Sequence, residues 1–458
     1  MANFHCVFTI SMVIFQSILG FILAIGILTT IHELGHFLVA RWCGVKILRF
    51  SIGFGKPIFS CYDKLGIEYV ISMIPLGGYI KMLGEYNNNL DPQEQHMALH
   101  NKTIPARMAI FAAGPLANLL FALITFWLVW VIGFTAVAPI IGNVPHGSAA
   151  HLAGLKTLDE IVAVNNKTVV IWSDVTRQLL NSPDITAGIT ITIKDSKNIV
   201  KKHHALNAVN LDATDVLASL GLEPYDPIVP EVGEILPHSA ASSSDLREGD
   251  IILAADSIKI TTRTALSNYL RSKPRQLVML DIKRGNKTNI KIFITPAAKL
   301  LDGGAEVGFI GIRYASKTWP KELLRTKRLG PVAALSAASQ DLHTTIILAT
   351  SILKKMLFQE ISMHSIGGPI AIAKHAGMSV NAGISYFLHF LAWTSVSLGI
   401  LNLLPIPFLD GGNLLYCLME AILGKKITDR CRPIGAKIGI TLLIFLTCLA
   451  FYNDLLRW

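Results

Sequence analysis

The stretch TTIHELGHFL, Thr29 to Leu38, closes an almost uninterrupted apolar run that begins near Val7. On a helix, His32 and His36 stand one turn apart on one face, within reach of a single ion, and Glu33 projects beside them. This HExxH spacing is the zinc-hydrolase pattern, in which the metal lowers the pKa of water to about 7 and the carboxylate takes its proton. In a soluble chain such a five-residue match arises by chance. At the end of a lipid-length segment chance is a poor account, because each ionisable group near a bilayer core costs on the order of 2 to 3 kcal/mol and is rarely idle.

The rest of the chain agrees with a lipid setting. It has 458 residues, 52% hydrophobic and only 16% charged, with a mean hydropathy of +0.49, which describes a membrane protein carrying a polar insert. The apolar excess falls in four windows, Val7–Ile31, Ala109–Phe134, Gly383–Leu404 and Ile438–Tyr452, the last short enough to need its flanks or a tilt. No Lys or Arg precedes Arg41 and no small-residue cleavage site follows the first window, so that segment is expected to be retained. Arg41, Lys46, Arg49, Lys56, Lys64, Lys102 and Arg107 lie between the first two windows, and Lys425, Lys426, Arg430, Arg432 and Lys437 between the last two. The positive-inside rule makes both loops cytoplasmic and both termini external. The net charge of +10 is spread over loops with no aromatic-interleaved patch, which excludes nucleic acid as a partner. All six cysteines avoid Pro139–Gly377, so that region has neither a disulfide framework nor a thiolate metal site.

Roughly 240 residues separate the second and third windows, enough for two small domains. Within them SAAHLAGLKTLDEIVAVN, from Ser148, aligns without gaps on SAASSSDLREGDIILAAD, from Ser239, pairing Leu155 with Leu246, Asp159 with Asp250 and Ile161 with Ile252. A helix-like stretch and then β-branched alternation follow each copy. The pattern resembles PDZ domains of bacterial proteases, although Leu158 stands where the second copy has Gly249. Each domain would offer a sheet edge and groove for an extended peptide, or would serve as a spacer without ligand. A further apolar patch, TTIILATSILKKML from Thr344, is short and carries Lys354 and Lys355, which predicts an interfacial helix and no fifth span.

A tetrahedral catalytic zinc needs a third protein ligand. SLGILNLLPIPFLDGGNLL, at the end of the third window, contains a single acidic residue, Asp410. Pro405 and Pro407 break the helix before it and leave backbone groups unpaired, which lipid tolerates only around a cavity or against another chain. With four spans, the first brings His32 and His36 to the cytoplasmic end and the third returns Asp410 to the same end; a fifth span would put Asp410 on the wrong face.

HELGHFLVAR, FSIGFG from Phe50, IPLGGYIKM from Ile74, AAGPLANLLFA from Ala112, the doubled insert, IGGPIAIAKHAG from Ile366 and NLLPIPFLDGGNLL from Asn402 together resemble the bacterial branch of the site-2 protease family. The resemblance covers nearly the whole chain in the expected order. It implies one Zn2+ held by His32, His36 and Asp410, Glu33 as general base, and Asn402, Pro405 and Pro407 as substrate-binding residues. It also implies that the loop containing FSIGFGKPIF and IEYVISMIPLGGYIKM is a hairpin that dips back into the membrane and holds unwound substrate as an added strand. As an ordinary helix residue Asn402 would cap or join helices, and the hairpin would be a surface feature. Asn118 reads as a helix-packing residue outside the site, and His389 as an interfacial or bundle histidine away from the metal.

The expected fold is thus a polytopic α-helical membrane protein with four transmembrane helices, a membrane-associated β-hairpin and two periplasmic PDZ-like α/β domains. Its parts are an N-terminal membrane portion at 1–134, PDZ-like domains at 135–226 and 227–316, a periplasmic and interfacial helical linker at 317–382 and a C-terminal membrane portion at 383–458. The expected function is that of an intramembrane zinc endopeptidase of the bacterial inner membrane. It would cleave single-span proteins already trimmed on the outside; in the family these include anti-sigma factors of envelope stress and remnant signal peptides. Two rivals stand beside it: a non-catalytic scaffold whose PDZ-like domains bind protein tails, and a metal or proton transporter using the same three ligands.

Overall fold

From Ala2 to Trp42 the sequence has no proline and few polar groups, and in lipid such a backbone satisfies its hydrogen bonds only as a helix; it forms one, α1 (Ala2–Trp42). Gly44, at φ +70°, closes it, with the Val45 N–H donating to Ala40 O at 2.9 Å. The computed structural model describes residues 2–85, 91–180, 188–195, 199–206, 216–237, 239–285, 287–300, 306–315, 319–358, 367–424 and 431–456; Lys425, Lys426, Arg430 and Ile366 lie outside them. Two units make up the chain, Met1–Phe134 with Arg328–Trp458, and Thr135–Lys327.

In the first unit β1 (Ile47–Tyr62) and β2 (Glu68–Met82) turn at Asp63, whose carboxylate accepts the N–H groups of Leu65 and Ile67 at 2.8 and 2.9 Å. The hairpin expected from the sequence is present but doubled over. Its tip pairs Pro57–Tyr62 with Ser72–Glu68, its base pairs Ile47–Phe54 with Met82–Ile74, and Arg49–Ile52 also face Glu68–Ile71. The result is four segments side by side, with Ile74–Met82 at one edge. Gly53 (φ +89°) and Gly77 (φ +120°) permit the bends, backbone conformations that a side chain resists.

α2 (Ile104–Ile132) carries proline in its first turn and ends at Gly133. Small residues let it approach α1 closely: a Cβ on Gly35 would overlap Ala113 and Ala117. Phe37 and Ala40 of α1, Ile110 of α2, and Phe50, Ile80 and Met82 of the hairpin share one buried cluster, which seats the sheet against the HExxH turn.

Thr135–Lys327 contains one fold twice. Short helices α3 (Ala149–Leu152), α4 (Trp172–Leu180) and α5 (Val216–Leu220) belong to the first copy and α6 (Arg263–Arg271) to the second. The first sheet runs Lys167–Thr168, Glu160–Val164, Ile189–Lys194, Val200–Leu206; the second runs Ile258–Lys259, Ile251–Ala255, Val278–Arg284, Lys287–Ile294 in the same order. Local bonds repeat too: Asp159 accepts the Lys156 N–H and Asp250 the Arg247 N–H, each at 2.8 Å. Each copy has its own core, around Ile161, Leu179 and Ile191 in one and Ile252, Leu270 and Leu280 in the other.

The first unit resumes with α7 (Pro331–Leu357), α8 (Pro369–Ala382), α9 (Ile384–Asn402), α10 (Asp410–Leu423) and α11 (Cys431–Leu456). The short helix expected at Thr344 starts instead at Pro331; its Ala- and Ser-rich first half, with Gln340 and Asp341, is too weakly apolar to extend the hydropathy signal, although Gly330–Pro331 is a sound helix start. Trp127 and Trp130 fasten it to α2, donating to Pro331 O at 2.9 Å and to Asp341 Oδ2 at 2.6 Å. The fourth apolar window is the centre of a 26-residue helix, whose flanks supply the length that a crossing needs. Among the described residues four helices are long and apolar enough to cross a membrane, Ile14–Trp42, Ile104–Ile132, Ile384–Asn402 and Ile434–Leu455. Phe15, Leu19, Ile444 and Phe445 stand exposed on them, as lipid-facing side chains do.

Candidate metal centre

α1 carries His32 and His36 one turn apart, while the 403–409 turn between α9 and α10 brings Asp410 to them as the first residue of α10. Pro405 and Pro407 prevent a continuous helix there, Phe408 adopts φ +87°, and Gly411 and Gly412 pack so tightly under the turn that a Cβ on either would meet carbonyl oxygens of Leu403, Leu404 or Ile406. A carboxylate in the first turn of a helix is also favoured by its dipole.

The three donors converge. His32 Nε2 lies 3.1 Å from Asp410 Oδ2, His36 Nε2 lies 3.3 Å from the same oxygen, and the two Nε2 atoms are 3.2 Å apart. Ligands about 2.0 to 2.1 Å from a tetrahedral zinc are separated by about 3.3 Å, so the triangle has the size the ion requires. Both imidazoles are buried, and at 17% side-chain exposure Asp410 is the more open member. Space for the rings comes from α2: a Cβ on Gly114 would lie 2.8 Å from His32 Nε2 and closer still to His36 Nε2. His36 is oriented by its other nitrogen, Nδ1, which donates to Ile110 O at 2.7 Å and leaves Nε2 free to face the site.

Glu33, beside the two histidines, also meets the edge segment of the hairpin. A Cβ on Gly78 would come within 3.2 Å of its Cγ, so the Glu33 side chain lies directly against the strand edge. Asn402 ends α9, Pro405 lies exposed in the turn that delivers Asp410, and Pro407 packs beneath α11 at Gly439. His389 is held between the rings of Phe126 and Phe134, at centroid distances of 5.6 and 5.2 Å, toward the opposite end of α9 from Asp410.

Three features escaped the sequence reading. Gly114 makes room for both imidazoles, Asn118 touches His32, and Arg107 of α2 forms a buried 2.6 Å ion pair with Glu420 of α10. The spacing of 110, 114 and 118 on α2, one turn each, was the available signal for the first two.

Three donors that could hold one metal ion, two on a membrane-length helix and one at the start of α10, with Glu33 next to His32 in sequence, are the arrangement expected of a membrane metallohydrolase. The model of "Peptidase family M50" matches residues 20–446. The chain is 39% identical over 442 residues to "Regulator of sigma-E protease RseP" of Escherichia coli (strain K12), covering 96% of this chain and 98% of that one. It is 37% identical over 450 residues to "Protease RseP" of Yersinia pestis, covering 97% and 100%. The chain belongs to peptidase family M50; it is a membrane zinc metalloprotease.

Proposed function

We propose that His32, His36 and Asp410 hold the zinc and that Glu33 is the general base for cleaving a peptide bond inside the membrane-spanning segment of single-pass proteins. The observation that carries this reading is the convergence of three donor atoms from α1 and α10 at mutual distances of 3.1 to 3.3 Å. When bound, zinc supplies a Lewis acid that acidifies water and polarises a carbonyl. Glu33 takes the proton from the attacking water and passes it to the leaving amine nitrogen. Because a transmembrane helix hides its carbonyls in its own hydrogen bonds, the substrate must be unwound; the Ile74–Met82 edge beside Glu33 holds it as an added strand, and Asn402, Pro405 and Pro407 shape the opposite wall.

The active site lies toward the cytoplasmic side of a bacterial inner membrane, with both termini and the duplicated insert in the periplasm. The two copies are PDZ domains, divided near residue 226, and 317–382 links them to the C-terminal membrane part. They act as a docking element or size filter, so that substrates, among them anti-sigma factors and remnant signal peptides, enter only after their ectodomains are trimmed. Selection is then steric and needs little from the side chains around the scissile bond.

The test is cleavage, in detergent, of a single transmembrane helix with a trimmed ectodomain, by wild type and Glu33→Gln, with zinc quantified in both. Wild-type cleavage within the apolar segment, with zinc retained but cleavage lost in Glu33→Gln, is the expected result. Cleavage surviving in Glu33→Gln would remove Glu33 from the reaction, and no cleavage or zinc in either would favour a scaffold.

A further inference from the structure

Asn118 is fully buried, one turn beyond Gly114 on the face of α2 that meets the histidines. Its carboxamide nitrogen lies 3.1 Å from His32 Nδ1, and its Oδ1 has no hydrogen-bond partner among the described residues. The two ends of the amide are of nearly equal shape, and turning it by 180° about its last torsion places Oδ1 against His32, where it accepts the Nδ1–H. In the unturned arrangement the amide donates to Nδ1, and a neutral imidazole would carry its proton on Nε2, the atom that faces Asp410 and the metal position.

His36 supplies the comparison. Its Nδ1 donates to Ile110 O at 2.7 Å, two turns before Asn118 on the same helix. α2 thus offers a backbone acceptor at 110, a gap at 114 and a side-chain acceptor at 118. The backbone of Asn118 is independently fixed, its carbonyl accepting the Ser395 hydroxyl of α9 at 2.8 Å. We infer that Asn118 is a positioning residue for the zinc site, accepting the Nδ1–H of His32 and so holding Nε2 bare toward the metal. The assignment rests on the proposed ligand set. Ligating histidines usually donate their second nitrogen to such a partner, whose loss weakens metal binding on the order of 10- to 100-fold.

The experiment measures Zn2+ affinity of the full-length protein in detergent, by competition with a chelating dye, for wild type, Asn118→Leu, Asn118→Asp and His32→Ala. Leucine keeps the volume and removes the acceptor; aspartate keeps the acceptor. The expected order is Asn118→Asp at or above wild type and Asn118→Leu weaker by a factor of about 10 to 100. Melting of the zinc-free proteins reports any general loss of fold. If leucine binds zinc as wild type does, or if aspartate weakens binding as much as leucine, the positioning role is overturned while the metal site stands. If wild type takes up no zinc, or His32→Ala keeps full affinity, the ligand assignment itself falls.

Discussion

Gly114 of α2 faces His36 of α1 so closely that a single added carbon would occupy the position of the imidazole edge. The absence of a side chain is therefore part of the proposed metal centre. Gly114→Ala is expected to cut zinc content to below about a tenth of wild type and to abolish cleavage, although alanine favours a helix by about 1 kcal/mol over glycine. Metal analysis and melting of the same sample check this. Lost zinc in a protein that melts no earlier is the predicted pairing, and full zinc occupancy would show that the rings move aside at little cost.

Arg107 and Glu420 tie the start of α2 to the helix that carries Asp410, with side-chain exposures of 6% and 2%. Removing one member of a buried pair leaves an uncompensated charge and costs about 3 to 5 kcal/mol. Arg107→Met and Glu420→Leu alone should each lower the melting temperature and weaken zinc binding through displacement of α10. The double variant should recover most of the loss, since a buried apolar pair often replaces an ion pair without penalty. Additive damage in the double variant would show that the two residues act independently.

Leu158 sits at φ +71°, where the second copy has Gly249 at φ +86°. The turn keeps its shape and strains the leucine, whose side chain is 47% exposed and gains little from burial. Leu158→Gly should stabilise the first copy by roughly 0.5 to 1 kcal/mol, the left-handed strain outweighing the extra freedom of the unfolded glycine. Hydrogen exchange of the full-length protein would then slow several-fold in Glu160–Val164 and Ile189–Lys194. Faster exchange there would mean that the leucine side chain contributes packing.

Asp256 accepts the Met279 N–H at 2.8 Å and the Tyr269 hydroxyl at 2.7 Å, and these donors, the backbone one foremost, hold its pKa below the ordinary carboxylate value. The unfolded chain then takes up the proton more readily than the folded one. The contribution is present above the unfolded pKa of about 3.9 and is lost as pH falls through the lower folded value. The urea midpoint of the second copy, followed by pulse exchange at one fixed labelling pH, should decline below about pH 4, and less so in Asp256→Asn. An identical decline in both proteins would assign the acid sensitivity to other groups.

Much of this architecture was legible in one dimension. Hydropathy alone marks four spans because lipid forces an apolar helix of a given length, and HExxH needs only the helical repeat to bring two imidazoles to one face. Asp410 stood out as the one carboxylate in a proline-broken apolar segment. The doubling of the hairpin was not legible, since a register shift depends on where glycines such as Gly53 and Gly77 take positive φ, and alternation in sequence is the same for a straight hairpin and a folded one. Nor was the full length of α7, whose Ala- and Ser-rich first half is too weakly apolar for a hydropathy signal.

The sequence by itself determined that this chain is a membrane protein with an HExxH motif at the end of an apolar, span-length helix, because those follow from local composition and from a fixed spacing within one helix. Which atoms meet was decided only in three dimensions. Gly114, Asn118 and Arg107 look like ordinary helix residues until α1 and α10 pack on α2, since a missing side chain, an orphaned amide oxygen and a buried ion pair acquire meaning only from the neighbours that close packing supplies.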